Sequence, residues 1–265
     1  MERIKETFNN LKSLDRKALI TYLVAGDPDL NKTLETMNAM VEEGADILEL
    51  GISFSDPMAE GPTIQKGHER ALANNTTLQD ALNLVSEFRK KNKDTPIVLM
   101  GYLNPFEAMG LEVFCKKAKE SGVDGVLIVD MPLEESSSFS SYTKEFGLDL
   151  IRLIAPTTDK ERARSICSNS SGYIYYISLK GITGAKDFNS KEVKDKVLEI
   201  KKITELPVAI GFGIKSKREV KSLKESADGL VAGSVFVDII LSQDNAEEEV
   251  RKKTRELSKA LNSDG

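Results

Sequence analysis

The sequence predicts a single-domain (β/α)8 TIM barrel spanning residues 1–265, and three observations carry that expectation. Short apolar runs recur eight times along the 265 residues. Longer stretches rich in Lys, Glu and Leu with helical spacing separate them. Glycines punctuate the ends of several of these stretches, just ahead of the next apolar run. Strands alternating with helices make a parallel sheet with right-handed crossovers. Eight such units in ~250 residues match the size of a closed barrel. A doubly wound open sheet is the alternative arrangement of the same units.

Residues 1–14 read as an extra N-terminal helix that closes the bottom of the barrel. The strands are expected at 18–23, 46–51, 96–102, 125–129, 148–154, 172–177, 207–211 and 228–232. In the first crossover Leu34, Met37, Met40 and Val41 fall on one helical face. Phe114, Ala118 and Ser121 do the same ahead of the fourth strand. Gly44, Gly122 and Gly147 each precede a strand, where a left-handed residue ends a helix. The loops after the second and sixth strands are long; in a barrel both lie at the C-terminal face, where active sites sit. Residues 245–261 read as a surface helix.

Composition narrows the function. A hydrophobic share of 40% supplies a core, and 30% charged residues suit a soluble surface. Net charge −5 and a pI near 5.3 argue against nucleic acid or an anionic membrane as the main partner. A phosphorylated small molecule remains compatible, because backbone amides bind phosphate without net positive charge. Cys115 and Cys167 sit in helical segments without a CxxC or a nearby histidine. This speaks against a disulfide or zinc site and fits a reducing cytoplasm. The N-terminus is too polar for a signal peptide or a membrane span.

The stretch ILELGISFSDPMAEGPTIQ holds the strongest chemical signal. Glu49 interrupts an apolar strand near its C-terminal end. Alternation places Ile47, Glu49 and Gly51 on one side and Leu48 and Leu50 on the other. A buried acid must be paired, hydrogen-bonded or neutralised, and one so held is poised for proton transfer near neutral pH. The structural alternative is a core ion pair, with Arg152 as its main candidate partner. Asp56 and Glu60 flank the same mouth, though Asp56-Pro57 and Gly61-Pro62 are also ordinary turn chemistry. Asp130 reads as a cap for the helix that follows it.

Glycine clusters follow the last strands: Gly211 and Gly213 in GFGIKS, and Gly233 with Ser234 in AGSVF. Gly181 and Gly184 in LKGITGA add a third wall. Loops after the seventh and eighth barrel strands commonly bind phosphate. Tyr22, Met100, Tyr102, Leu127, Tyr175 and Phe212 fall at or near strand ends and can wall a flat apolar pocket. His68, the only histidine, has charged neighbours and reads as a surface residue; a Ser-His-Asp triad or a multi-histidine metal site is therefore not expected.

The segments ITYLVAGDPD, ADILELGISFSDPMAEGPTIQKG, YLNPF, GVLIVDMPLEES, YIYYISLKGITGA, VAIGFGI and VAGSVFV together resemble the tryptophan synthase alpha subunit family. That resemblance implies a barrel that cleaves indole-3-glycerol phosphate to indole and glyceraldehyde 3-phosphate by a retro-aldol step, with no metal and no cofactor. By the same resemblance Glu49 is the catalytic acid–base group and Glu60 the second acid, beside the indole N–H. Tyr175 lies against the substrate. Tyr22, Met100, Leu127 and Phe212 form the indole pocket, and Thr183 is a loop residue that helps to set the two acids. Gly184, Gly213, Gly233 and Ser234 hold the phosphate. The implied partner is a beta subunit that uses pyridoxal phosphate, in an α2β2 heterotetramer that channels indole. This chain departs from the family in having Glu60 where aspartate is usual and Ser53 where proline is usual. A regulatory subunit with little chemistry of its own, and a sugar-phosphate isomerase on the same barrel, are the competing readings.

Overall fold

The computed structural model describes residues 2–177, 190–211, 213–242 and 245–262. Among the predicted site residues, Thr183, Gly184 and Phe212 lie outside them, as does Gly181. The described chain runs α1 (Arg3–Ser13), β1 (Ala18–Val24), α2 (Leu30–Glu42), β2 (Ile47–Gly51), α3 (Pro62–Ala73), α4 (Leu78–Arg89) and β3 (Ile97–Gly101). It continues with α5 (Leu103–Met109), α6 (Leu111–Ser121), β4 (Gly125–Ile128), α7 (Ser137–Phe146), β5 (Asp149–Leu150), β6 (Arg152–Ile154), α8 (Lys160–Ser168) and β7 (Ile174–Ile177). Then follow α9 (Ser190–Lys201), β8 (Val208–Gly211), α10 (Lys217–Leu223), β9 (Gly229–Ala232), α11 (Ser234–Ser242) and α12 (Ala246–Asn262).

All strand pairs are parallel, in the order β5-β4-β3-β2-β1-β9-β8-β7-β6. The two ends of that order are halves of one predicted strand. β5 pairs with β4 and β6 pairs with β7, and only Ile151 separates them. The eighth stave is thus a kinked strand that closes the barrel. At the kink a side chain substitutes for a ladder bond: Leu150 N–H donates to Ser171 Oγ at 2.8 Å, while Leu150 O accepts from Ser171 N–H at 3.0 Å.

The strand alternation creates two apolar layers. Leu19, Leu23, Leu48, Leu50, Leu99 and Val126 face outward and meet the helices. Ile20, Tyr22, Ile47, Val98, Met100, Leu127, Tyr173 and Tyr175 face inward and fill the cylinder. Such filling makes the interior a packed core and leaves the open chemistry to its C-terminal face.

Helix α1 plugs the opposite end, as the sequence predicts. Its Ile4, Phe8 and Leu11 join the inner layer, and Phe8 packs against Tyr173 with ring centroids 5.8 Å apart. A buried ionic knot fastens the plug: Asp124 accepts from Arg3 at 2.6 Å, from Arg89 at 2.7 Å and from the Ile97 N–H at 2.8 Å. The predicted helix ends also form. Gly44, Gly122 and Gly147 all have positive φ, and the latter two are the left-handed caps of α6 and α7. Cys115 and Cys167 are free and buried. No helix of the described residues is long and apolar enough to cross a membrane.

Candidate active site

β2 places Glu49 level with Tyr22 of β1 and Val98 of β3. Its side chain is fully buried. Tyr173 Oη donates to Glu49 Oε1 at 2.6 Å, whereas Oε2 is buried without a hydrogen-bond partner. Arg152 is not the counter-ion. It points outward, donating to Asn169 O at 2.9 Å, Ser136 Oγ at 2.7 Å and Ser140 Oγ at 3.0 Å. Alternation explains the error: Ile151 and Leu153 take the inner side of that strand, so Arg152 must take the outer one. Burial is the main force on the Glu49 carboxyl and pushes its pKa up to about 7; the Tyr173 bond opposes the rise and nearby Glu60 adds to it.

Glu60 stands at the end of the loop that follows β2. Burial raises its pKa to about 7 as well, although part of the residue remains in contact with solvent. The loop is tied down along its length. Ser53 Oγ donates to Thr76 O at 2.9 Å, the Phe54 ring stacks on Tyr102 at 5.2 Å, the Ala59 N–H donates to Tyr102 Oη at 2.9 Å, and Gln65 Nε2 donates to Glu60 O at 2.9 Å. Its carboxylate acts electrostatically on Glu49, Tyr22, Tyr102 and Tyr175. Two acids of raised pKa thus share one mouth with three tyrosines. Asp56, by contrast, is exposed, in keeping with its turn reading.

Four of the residues expected to wall the pocket lie in one layer. Tyr22, Met100, Leu127 and Tyr175 all belong to the inner layer and are at most 8% exposed. Two glycines exist to admit the rings. A Cβ on Gly51 would sit 2.2 Å from Tyr22 Oη, and one on Gly211 would sit 2.2 Å from the Tyr175 ring. Ile64, Val129, Leu153 and Ile177 also pack on this layer. The sequence reading missed them, though Val129 and Ile177 lie two residues beyond Leu127 and Tyr175, where strand alternation points to them.

Of the predicted phosphate residues, Gly233 precedes α11, and its carbonyl accepts from the Phe236 N–H at 2.9 Å and the Val237 N–H at 3.3 Å. Ser234 opens that helix, whose first amides carry the partial positive charge of a helix N-terminus. Gly213 is exposed, and a Cβ there would meet nothing within 4 Å. Its backbone is therefore open to approach.

Two further expectations need correction. His68 is not a surface residue: it is 2% exposed. The face of α3 formed by Ile64, Gly67, His68 and Ala71 has the i, i+3, i+4, i+7 spacing of an inward stripe, and the charges beside His68 occupy the other faces. Asp130 does not cap the helix after it. Its Oδ1 accepts from the Leu103 N–H at 2.7 Å, at the start of α5, because the parallel register of β3 and β4 brings the end of one strand beside the loop of the other.

Known proteins share this fold and much of this sequence. The sequence profile described as tryptophan synthase alpha chain matches residues 8–264. The tryptophan synthase alpha chain of Methylococcus capsulatus is 46% identical over 257 residues, covering 97% of this chain and 96% of that protein. Among solved structures, tryptophan synthase subunit alpha of Legionella pneumophila superposes with a TM-score of 0.92 at 39% identity, covering 98% of each chain. A chain of the tryptophan synthase complex of Pyrococcus furiosus gives 0.83 at 41% identity, covering 91% of this chain and 98% of that one. Similarity of sequence and fold thus runs along nearly the whole length, and this chain belongs to the tryptophan synthase alpha chain family.

Proposed function

We propose that Glu49 and Glu60 carry the family's retro-aldol cleavage of indole-3-glycerol phosphate in this chain, acting within one domain. The carrying observation is the Glu49 carboxyl: buried at the C-terminal end of a barrel strand, anchored by Tyr173 through one oxygen, with the other unpartnered. A pKa of about 7 keeps both its protonated and its ionised form accessible near neutral pH, as a group that both gives and takes a proton requires.

The steps balance without an external reagent. Glu49 donates its proton to C3 of the indole ring, which becomes an indoleninium cation. The ionised Glu60 carboxylate stabilises that cation through the ring N–H. Glu49, now ionised, takes the proton from the adjacent glycerol hydroxyl. The C–C bond breaks as that oxygen forms the aldehyde, and the bond electrons restore the aromatic ring. Tyr22, Met100, Leu127, Tyr175 and Phe212 wall the indole. Gly184, Gly213, Gly233 and Ser234 hold the phosphate, and Thr183 helps to set the two acids. No metal or cofactor enters these steps.

The partner is the pyridoxal-phosphate-dependent tryptophan synthase beta subunit, in an α2β2 heterotetramer that receives the indole. The assembly works in the cytoplasm. The test is Glu49→Gln, assayed with the beta subunit. Indole release is expected to fall by at least 10³-fold while the substrate still binds. Near-normal indole release by this variant would remove Glu49 from the mechanism.

A further inference from the structure

His68 is buried beside Tyr22 and the loop that follows β2, yet the retro-aldol steps make no use of it. Its ring is held from both ends. The Phe54 N–H donates to Nδ1 at 3.1 Å, and Nε2 lies 3.4 Å from Tyr22 Oη. Because Nδ1 accepts a backbone proton, the ring proton of the neutral imidazole belongs on Nε2. Burial keeps the ring neutral by lowering its pKa to about 4. The contact to Tyr22 is at the long end of the hydrogen-bond range.

This polarity has a consequence for Tyr22. If Nε2 donates, the phenol oxygen accepts, and the phenol's own proton is left to point elsewhere. The oxygen stands over Gly51, on the mouth side of Glu49, and feels both Glu49 and Glu60. Gly233 leaves room on the other flank of the ring, where a Cβ would come within 3.2 Å of Tyr22 Cβ. Gly51 and Gly233 give the ring its space, and His68 Nε2 lies against its hydroxyl at the mouth.

We infer that His68 is a positioning residue that fixes the Tyr22 hydroxyl as a hydrogen-bond donor to a hydroxyl oxygen of the substrate's glycerol arm. This rests on the reading of Glu49 and Glu60 given above. The donor cannot serve the indole, whose only polar group is itself an N–H donor. Tyr22 is therefore more than an apolar wall: it distinguishes a polyol phosphate attached to the ring from the bare ring.

The test uses the full chain with its beta subunit, comparing Tyr22→Phe, His68→Asn, His68→Gln and the Tyr22→Phe/His68→Asn double variant. Asn places an acceptor where Nδ1 is but cannot reach Tyr22, whereas Gln carries an N–H to the Nε2 position. Tyr22→Phe and His68→Asn are each expected to lower kcat/KM for cleavage about five- to tenfold, the scale of one hydrogen bond. The double variant is expected to be no worse than Tyr22→Phe alone, His68→Gln to recover most of the loss, and competitive inhibition by free indole to stay unchanged throughout. The inference is overturned if either single variant is silent, if the two losses multiply, if Asn outperforms Gln, or if indole binding weakens in step with cleavage. Glu49→Gln, run in parallel, reports separately on the acid–base reading, so either can fail without the other.

Discussion

The Tyr173 hydroxyl donates to Glu49 Oε1 at 2.6 Å from the plug side of the barrel, where the same ring rests on Phe8. The N-terminal helix thus supports the acid at the opposite face through a single side chain. That bond favours the ionised carboxylate, so it restrains the rise that burial imposes on Glu49. Tyr173→Phe keeps the ring and removes the bond. The pH–kcat limb governed by Glu49 is expected to move alkaline by roughly 0.5–1 unit, the equivalent of one ordinary hydrogen bond. A profile superimposable on that of the parent would show that the bond does not tune the acid.

Stability should carry the same signature. Glu49 has a pKa of about 7 when folded, against ~4.3 for an unfolded glutamate. The native state keeps a proton that the unfolded chain gives up in this window. The contribution of Glu49 to stability is therefore full below pH ~4.3 and is lost as pH rises through 7. Glu49→Gln never ionises and can still accept from Tyr173. Relative to the parent it should gain on the order of 3–4 kcal/mol between pH 4 and pH 8.5. Urea unfolding at the two pH values measures this directly, and a difference that does not change with pH would contradict the burial of an ionisable group there.

Glu60 is presented by a loop whose backbone is held on either side of the residue, through the Ala59 N–H to Tyr102 and the Glu60 carbonyl to Gln65. Shortening its side chain by one methylene therefore withdraws the carboxylate, since the loop is fastened where it would have to move. Glu60→Asp is expected to lower kcat/KM for cleavage by at least tenfold, since misplacement near 1 Å can cost ~10²-fold. Robust, equal turnover in both forms would show that the loop adapts. Faster turnover in the aspartate form would favour a chain whose own chemistry is weak.

Much of this was legible in the sequence, for identifiable reasons. Glu49 announced itself because a charge inside an apolar strand is costly and therefore rare. The barrel announced itself through the repeat of strand and helix. His68 was hidden because its charged neighbours mask a buried stripe visible only in the spacing of Ile64, Gly67, His68 and Ala71. Tyr173, the actual partner of Glu49, lies 124 positions away in sequence; only the closed sheet brings the two together. The clearance that Gly211 gives to Tyr175 was hidden for a related reason. A glycine after a strand signals an anion site or a close approach equally well, and the arriving ring of Tyr175 is a tertiary fact.

That last ambiguity yields a contrast between two neighbouring glycines. A Cβ on Gly211 would lie 2.2–2.4 Å from Tyr175 ring atoms, whereas one on Gly213 meets nothing within 4 Å. Neither glycine has a positive φ, so alanine is judged by space alone. Gly211→Ala must push Tyr175 aside and is expected to cost about 1–3 kcal/mol, the usual scale of overpacking. Pairing it with Tyr175→Leu should recover much of that cost, because the obstructing ring is gone and residues in contact are not additive. Gly213→Ala should leave stability within about 0.5 kcal/mol yet raise KM for the phosphorylated substrate if its amide lies against the phosphate. Thermal unfolding and steady-state kinetics of the three variants separate the outcomes: equal destabilisation by both alanines would mean that ring clearance is not what Gly211 provides.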